Sequence, residues 1–279
     1  MNKRLMFSAA LVMALLSANA QKRAFTIEDL YRVKGVSSVS LSPDGKTVCY
    51  TASSSDLKNQ KSGSDIYIMN ADGSHAKALT EDGKSSSAVW SKDGKSIFFT
   101  NYENGTAQIF RMDLTTCETE QVTDYELGIG SPVISPDERY IAFTAEVYPD
   151  LGADAKANKA RMEKKEQGPV QAHIANKLLY RHWTSYSDGR CNHLILFDTQ
   201  TKTYKDLTPG NYSLIFVVGG GITYQFSPDS KEICFVSNHD EHQEASTNAD
   251  LWTVSVNGGR TGLHHEGEQG LGWYSSLFA

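Results

Sequence analysis

One short polar phrase recurs four times along the 279-residue chain. It reads SPDGK from Ser42, SKDGK from Ser91, SPDER from Ser135 and SPDSK from Ser227. An apolar residue precedes each serine, and apolar residues return six and eight positions after it: Leu41, Val48 and Tyr50; Trp90, Ile97 and Phe99; Ile134, Ile141 and Phe143; Phe226, Ile233 and Phe235. A polar turn between such apolar runs predicts a β-hairpin, and Pro and Gly suit its corner positions.

Two further strands follow each hairpin in the pattern. The third strand reads DIYIMN from Asp65, QIFRMD from Gln108, HLILFD from His193 and DLWTVS from Asp250. A short fourth strand ends at a threonine eleven residues after Met69, Met112 and Phe197, namely at Thr80, Thr123 and Thr208. Four short strands in about 45 residues are typical of a propeller blade. The sequence therefore predicts an all-β fold, a partial β-propeller of four four-stranded blades.

The third blade carries an insertion. Successive repeat serines lie 49, 44 and 92 residues apart, but the last interval contains only one hairpin and one third strand. We therefore expect blades at about 36–82, 83–126, 127–210 and 219–259, with an insertion over about 146–192. The segment ADAKANKARMEKKEQ from Ala153 is rich in helix formers, which predicts a helical or irregular flap. GGG at 219–221 lacks the context of a phosphate loop and is interpreted as a turn.

The first twenty residues are distinct in composition from the repeats. A basic start, an apolar run from Leu5 to Leu16 and a final Ala-Asn-Ala predict a secretory signal peptide cleaved after Ala20. We see no later membrane-spanning segment, so the mature chain is expected in the periplasm or outside the cell. A formal net charge of −6 gives no basic surface for nucleic acid.

The four cysteines match no zinc pattern, and we expect neither a metal nor a cofactor. Export would permit disulfides. However, Cys49 and Cys234 each lie seven residues after a repeat serine, inside an apolar run. Both are predicted to be small core residues.

The repeats resemble a known family once the flanking residues are included. FTIEDLYRVKGVSSVSLSPDGK, the blades of the kind SPDGK…IYIMNADG…ALT, and LYRHWTSYSDGRCNHLILFD resemble the amino-terminal propeller of secreted prolyl oligopeptidase-type serine peptidases. Bacterial dipeptidyl and acylaminoacyl peptidases look most similar, over residues 21 to about 259. The resemblance implies an α/β-hydrolase domain in cis whose Ser, on a G-x-S-x-G turn, attacks peptides with help from a His and an Asp.

This chain contains no G-x-S-x-G, so we assign no catalytic residue and expect no peptidase activity from it alone. Peptide substrates are expected only for an intact parent. Arg181, Trp183 and Asp188 are candidates for an interface with the catalytic domain, the alternative being ordinary packing and solvation of a flap. Glu163 and Glu166 could face a substrate's amino terminus, as paired glutamates do in some dipeptidyl peptidases. They lie outside that family's motif, and the alternative is a solvated helix face.

Residues 260–279 lose the repeat pattern, although a threonine is expected at position 265 and a fifth SPD phrase soon after. Codons compatible with Leu263 to Ala279, advanced by one nucleotide, permit CTTKANKAWDGTPAYSP. That string restores threonine at positions 264 and 265 and ends in Ser-Pro. We therefore expect a frameshifted tail and a propeller cut short before its catalytic domain; a divergent natural tail is the alternative. Two alternatives remain for the function of the whole chain: a Tol-type binding propeller, and a separate subunit that docks with a hydrolase.

Overall fold

Four antiparallel four-stranded sheets follow one another along the chain. The computed structural model describes residues 23–103, 105–175, 178, 180–214, 223–246 and 248–265. The first two sheets contain β1 Gly35–Leu41, β2 Thr47–Asp56, β3 Lys61–Asn70 and β4 Lys77–Ala78, then β5 Ser85–Trp90, β6 Ser96–Asn101, β7 Gln108–Asp113 and β8 Thr119–Gln121. The last two contain β9 Gly130–Ile134, β10 Tyr140–Val147, β13 Cys191–Asp198 and β14 Thr203–Asp206, then β15 Tyr224–Phe226, β16 Glu232–Ser237, β17 Asp250–Ser255 and β18 Gly262–His265.

Little else is regular. Helix α1 spans Ile27–Leu30 and helix α2 spans Ala155–Glu166, a 3-10 turn covers Gln243–Ala245, and a small hairpin pairs β11 Arg181–His182 with β12 Ser185–Tyr186. The prediction of a mostly β chain is confirmed. Within the described part of the chain, no helix is both long enough and apolar enough to cross a membrane.

The recurring phrase forms the turn between the first and second strands of every sheet. In the first sheet the buried Ser42 Oγ donates to Asp44 Oδ1 at 2.7 Å and accepts from Thr47 N at 2.9 Å, while Asp44 Oδ1 also accepts from Lys46 N at 3.1 Å. The other three copies repeat these contacts, around Ser91, Ser135 and Ser227. The serine and aspartate thus satisfy the backbone of a tight turn, which explains why those two positions never change.

The fourth position of the turn has a left-handed backbone in each sheet, with φ of 72° at Gly45 and 62° at Glu138. Glycine adopts this conformation without a steric penalty. The two non-glycine residues instead link neighbouring sheets. Glu138 Oε1 accepts a hydrogen bond from Lys92 N, and Ser230 Oγ accepts one from Asp137 N at 3.1 Å. Pro43 of the first turn also lies against Gly94 of the second, so the four turns lie together at one end of the molecule.

The threonine that ends each of the first three repeats has one shared role. Thr80, Thr123 and Thr208 each accept, through Oγ1, a hydrogen bond of 2.9 Å from a backbone N–H. The donor is the second residue of the repeated third-strand motif, Ile66, Ile109 and Leu194 respectively. A threonine here extends the pairing of the third strand beyond the last fourth-strand residue. This contact accounts for the constant spacing of eleven residues between the apolar residue near the end of the third strand and the closing threonine.

The core lies between successive sheets. Cys49 and Ile66 of the first sheet pack against Ile97, Phe99 and other residues of the second. Comparable clusters join the second sheet to the third and the third to the fourth. Cys49 and Cys234 are buried free thiols, which confirms their prediction as core residues.

Two boundaries of the sequence interpretation shift in the structure. Strand β10 continues to Val147, which pairs with Cys191, so the excursion covers 148–190 and is slightly shorter than the predicted 146–192. Strand β18 pairs with β17 although no fourth strand was expected after position 259. Ladder hydrogen bonds are made by the backbone, so an edge strand forms there without the usual apolar alternation. The predicted signal peptide, GGG at 219–221 and residues 266–279 lie outside the described residues.

We expect Thr123→Val to destabilise the fold by about 1–3 kcal/mol. Valine keeps the shape but removes the acceptor for Ile109 N and the donor to Gln108 Oε1, which lies 2.8 Å from the threonine hydroxyl. Urea unfolding followed by circular dichroism measures the change. Thr119→Val, at an exposed position of β8, is the matched control and should be close to neutral. Equal effects of the two changes would contradict the assigned role of Thr123.

Candidate functional site

The long connections gather at the end of the sheets opposite the SPD turns. Because the strands alternate in direction, every second-to-third-strand connection reaches that end. These connections are 57–60, 102–107, 148–190 and 238–249. Functional side chains tend to lie on long loops that a rigid scaffold positions. The excursion 148–190 and its neighbours are therefore the candidate functional site, which we call the insertion end.

Helix α2 is fixed to the third sheet by a fully buried amide. Asn158 Oδ1 accepts from Tyr148 N at 2.7 Å, and its Nδ2 donates to the carbonyls of Gly152 and Asp154 at 3.0 and 2.8 Å. Arg161 adds two hydrogen bonds to Asp150, at 2.7 and 2.6 Å. A buried amide with its polar atoms satisfied holds one arrangement of the chain. The amino-terminal half of α2 is thus rigidly positioned.

Asp188 lies at the base of the excursion, where the chain returns to strand β13. Its two carboxylate oxygens lie 3.0 and 2.9 Å from Arg190 Nε, and Arg190 also pairs with Glu146 at 3.1 Å. Lys165 of α2 donates to the carbonyl of Asp188 at 3.3 Å. Burial opposes ionisation of Asp188, but the hydrogen bonds and charge of Arg190 outweigh it and lower the pKa of Asp188. This aspartate therefore remains an anion bound to Arg190, while its backbone carbonyl makes the contact with α2.

A cavity of about 650 Å³ lies between α2 and the connections of the second and third sheets. Leu127, Ile129 and Met162 form part of its apolar wall. Its charged residues are Glu126, Glu146, Glu163, Glu166, Lys159 and Arg190. Carboxylates outnumber cations, so the cavity suits a ligand with an amine or guanidinium group beside an apolar portion. The structure thus brings the two sequence-predicted glutamates, Glu163 and Glu166, to one cavity.

Arg181 and Trp183 lie on the small hairpin β11–β12 and not with Asp188. The Trp183 side chain is 83% exposed, and the Arg181 guanidinium lies 6.0 Å from the ring centre of Tyr186. Tyr186 stacks on His173 with ring centres 4.2 Å apart. The sequence-predicted trio is therefore divided between an exposed hairpin and the half-buried base of the excursion.

The hairpin and the chain before it form an exposed apolar surface. Its members are each more than two-fifths exposed: Val170, Ile174, Leu178, Tyr180, Trp183 and Tyr186. Soluble proteins seldom present so many large apolar side chains in one short segment without a partner. Arginine and aromatic residues are also the types most enriched at protein interfaces. The insertion end can therefore both admit a small ligand and contact another protein surface.

The sequence interpretation missed a buried ion pair beside this site. The His193 side chain is 0% exposed; its Nδ1 lies 2.8 Å from Asp206 Oδ2 and its Nε2 lies 3.0 Å from the Gly210 carbonyl. Burial disfavours the imidazolium, but Asp206, Cys191 and Gly210 outweigh it and raise the pKa of His193 to about 9. Asp65 and Gln108 occupy the position of His193 in the first two sheets. That equivalence is the one sequence signal that could have suggested a structural role for His193. No cluster of His, Cys, Asp or Glu suited to a metal occurs among the residues that the structure describes.

Comparisons with known proteins agree with this architecture. The family described as TolB beta propeller domain matches residues 19–167, more than half of the chain, and the family described as Dipeptidyl peptidase IV (DPP IV) N-terminal region matches residues 153–279. A protein named dipeptidyl-peptidase 5 from Porphyromonas gingivalis is 29% identical over 246 residues, which are 86% of this chain and 35% of that protein. Its namesake from Porphyromonas endodontalis is 26% identical, over 92% of this chain and 37% of that protein.

Solved structures show the same fold at lower identity. An acylaminoacyl peptidase in complex with Z-Gly-Gly-Phe-chloromethyl ketone superimposes with a TM-score of 0.60 and 17% identity, covering 85% of this chain and 33% of that one. Pyrococcus horikoshii acylaminoacyl peptidase gives the same TM-score at 16% identity. The chain thus spans about a third of the length of the relatives that it matches.

The His193–Asp206 pair predicts a loss of stability between about pH 6.5 and 9. Because the pKa of His193 is higher in the folded state, its contribution is full below the unfolded value of about 6.5 and is lost as pH rises through about 9. We expect the melting temperature to fall by roughly 5–10 °C over that interval.

Thermal melts followed by circular dichroism from pH 6 to 10 test this. His193→Gln should flatten the dependence, since Gln108 fills the same position in the second sheet. His75→Asn, at an exposed turn position, is the control and should leave the dependence in place. An unchanged slope in the His193 variant would contradict the assignment.

Proposed function

Since the chain belongs to the TolB beta propeller domain family, we propose that its four sheets are consecutive blades of a β-propeller that serves a serine peptidase. The first three blades correspond to about 36–82, 83–126 and 127–210, and the fourth begins at about 219 and extends beyond the sequence-predicted end at 259 to include β18 at Gly262–His265. The helical excursion is an insertion in the third. The intact protein hydrolyses short peptides in the manner of dipeptidyl or acylaminoacyl peptidases. The chain itself supplies the propeller, which has no catalytic role.

The observation that carries this proposal is the pair of overlapping family matches. One covers 19–167, and the other, named for the amino-terminal region of a dipeptidyl peptidase, continues to 279. The relatives named dipeptidyl-peptidase 5 are about three times as long as the matched region. A hydrolase domain in the remaining length would carry the nucleophilic serine, consistent with the absence of G-x-S-x-G from this sequence.

The insertion end is the part that faces the hydrolase domain in this proposal. Arg181 and Trp183 extend from an exposed hairpin with the composition of a protein interface. Asp188 acts indirectly, because its contacts with Arg190 and Lys165 hold the chain that follows the hairpin. The cavity beside Glu163 and Glu166 lies at the same end and would receive the amino-terminal part of a peptide.

Export is part of the same proposal. Residues 1–20 have the basic, apolar and small-residue regions of a signal peptide, which favours a periplasmic or secreted protein with Gln21 as its first residue. Amino-terminal sequencing of the exported chain tests this directly, since a start at Met1 would exclude cleavage.

A second function is favoured by one specific observation. The family match over 19–167 is to the TolB propeller, so a binding or scaffold propeller without an associated hydrolase is the alternative. The two proposed functions predict different coding sequences downstream of this chain. The peptidase function requires further SPD repeats and then G-x-S-x-G encoded downstream, either in the present frame or, for a frameshifted tail, in the frame advanced by one nucleotide. The scaffold reading requires neither.

We predict that the nucleotide sequence contains both features and that the purified 279-residue chain does not hydrolyse dipeptidyl or acylaminoacyl chromogenic peptides. Activity should appear in the protein made from the gene with its frame restored. A restored frame that encodes no G-x-S-x-G, or a restored protein without peptidase activity, would favour the scaffold function instead.

In the frame-restored protein we expect Trp183→Ala to lower kcat/KM for peptides about fivefold or more, since loss of a large aromatic contact at an interface costs about 1–3 kcal/mol. The melting temperature of the propeller should change little, because Trp183 is 83% exposed. Val39→Ala, at an exposed position of β1 near the SPD turns and away from the insertion end, is the matched control. Equal kinetics for the Trp183 variant and wild type would remove Trp183 from the interface.

A further inference from the structure

A second cavity, of about 250 Å³, lies between the carboxyl-terminal half of α2, the chain that follows it, and Tyr186 of the small hairpin. We call it the small cavity, and the cavity of about 650 Å³ described above the large cavity. An apolar cavity of about 150 Å³ is enough to hold benzene. The small cavity therefore has room for one aromatic ring and the atoms that attach it to a chain.

Hydrogen bonds and stacking hold the wall of the small cavity in place. Gln171 Nε2 donates to the carbonyls of Glu166 and Gly168, at 2.8 and 2.7 Å, so the chain turns back on the end of α2. Two residues later, the His173 ring stacks on Tyr186 with ring centres 4.2 Å apart and planes only 8° from parallel. The hairpin and the end of α2 are thus joined through one pair of flat rings.

The small cavity offers a ligand an apolar and aromatic wall. Met162, His173 and Tyr186 all line it. Two of its charged residues are engaged with each other, because Lys165 Nζ donates to the carbonyl of Asp188 at 3.3 Å. Aromatic rings pack well on other rings and on a methionine sulfur. An aromatic side chain is therefore the group that this wall fits best.

The two cavities share part of their walls. Met162 and Glu166 line both of them. These residues are four apart on α2 and so lie on one face of the helix. Glu166 also belongs to the surplus of carboxylates that suits the large cavity to a positively charged group. One extended ligand can therefore occupy both cavities, with its charged group near Glu166.

We propose that the small cavity is a subsite for one aromatic side chain of a peptide whose positively charged group lies in the large cavity. The inference rests on the proposed function in taking the ligand to be a peptide, and it adds which side chain the propeller selects. Peptides with an aromatic residue close to a positive charge are the substrate class that follows.

Binding of short peptides to the purified 279-residue chain tests the proposal. The probes are peptide amides with a free amino group, in which one, two or three glycines precede phenylalanine, and the same peptides ending in alanine. Titration calorimetry should show at least one phenylalanine peptide binding about tenfold or more tightly than its alanine counterpart, since a buried phenyl ring gains both apolar burial and ring contacts. Equal affinities throughout the series would overturn the proposal.

Variants of Tyr186 show where the preference arises. Tyr186→Ala should reduce the preference for phenylalanine to about twofold or less, whereas Tyr186→Phe keeps the ring and should retain it. Tyr31→Ala is the matched control, because Tyr31 and Tyr186 are each 43% exposed and Tyr31 is not among the described residues that line either cavity. Far-UV circular dichroism confirms that each variant is folded. A preference that survives Tyr186→Ala, or that Tyr31→Ala also removes, would contradict the assigned subsite.

Glu166→Gln tests whether one peptide occupies both cavities. The variant should weaken binding of phenylalanine and alanine peptides by a similar factor, since the charged group is common to both. Unchanged affinities would overturn the shared placement.

These binding measurements require no catalysis, so they separate the subsite from the proposed function. A frame-restored protein without peptidase activity would count against the peptidase function while the preference of the chain for phenylalanine stands. Peptide hydrolysis by that protein, with no such preference in binding, would overturn the subsite alone.

Discussion

The structure depends on sheet-on-sheet burial of apolar side chains. Each four-stranded sheet has two apolar faces, and a sheet of this size is not stable with both faces in water. Packing one sheet on the next buries Ile97, Ile141 and Ile233 completely, one at each of the three interfaces. The SPD turns and the closing threonines hold each sheet in register for this packing. The insertion end lies where the packing leaves the ends of the strands uncovered.

Two polar devices keep the sheets in register for that burial. The Ser–Asp pair of the repeated phrase satisfies the backbone of the first hairpin turn, and the closing threonine satisfies the third strand. Residues such as Ser135 and Thr208 are nearly fully buried, so their hydroxyls replace hydrogen bonds that water cannot make there. At one end of the molecule the turns also touch one another through Glu138 and Ser230, and the sheets are coupled there by polar contacts as well as by the core.

The insertion end, opposite the SPD turns, has none of this regularity. The family match suggests a functional reason for the difference between the two ends. Short turns occupy one end, while the cavity, helix α2 and the exposed hairpin around Trp183 occupy the other. The chain spans about a third of its relatives named dipeptidyl-peptidase 5. In the proposed function, the irregular end is the one that meets peptide and catalytic domain, and the regular end is scaffold.

The sequence by itself determined the hairpins, the third strands and the core positions, because they depend on local turn chemistry and on an alternation that each repeat carries within about 45 residues. It also located the excursion to within two residues at each end and identified Cys49 and Cys234 as buried. Only the tertiary structure decided how the excursion is arranged: Glu163 and Glu166 share a cavity, Asp188 is separated from Arg181 and Trp183, and His193 pairs with Asp206. Those contacts join residues whose order in the chain carries no period, and they are fixed by packing between sheets and not by any local pattern.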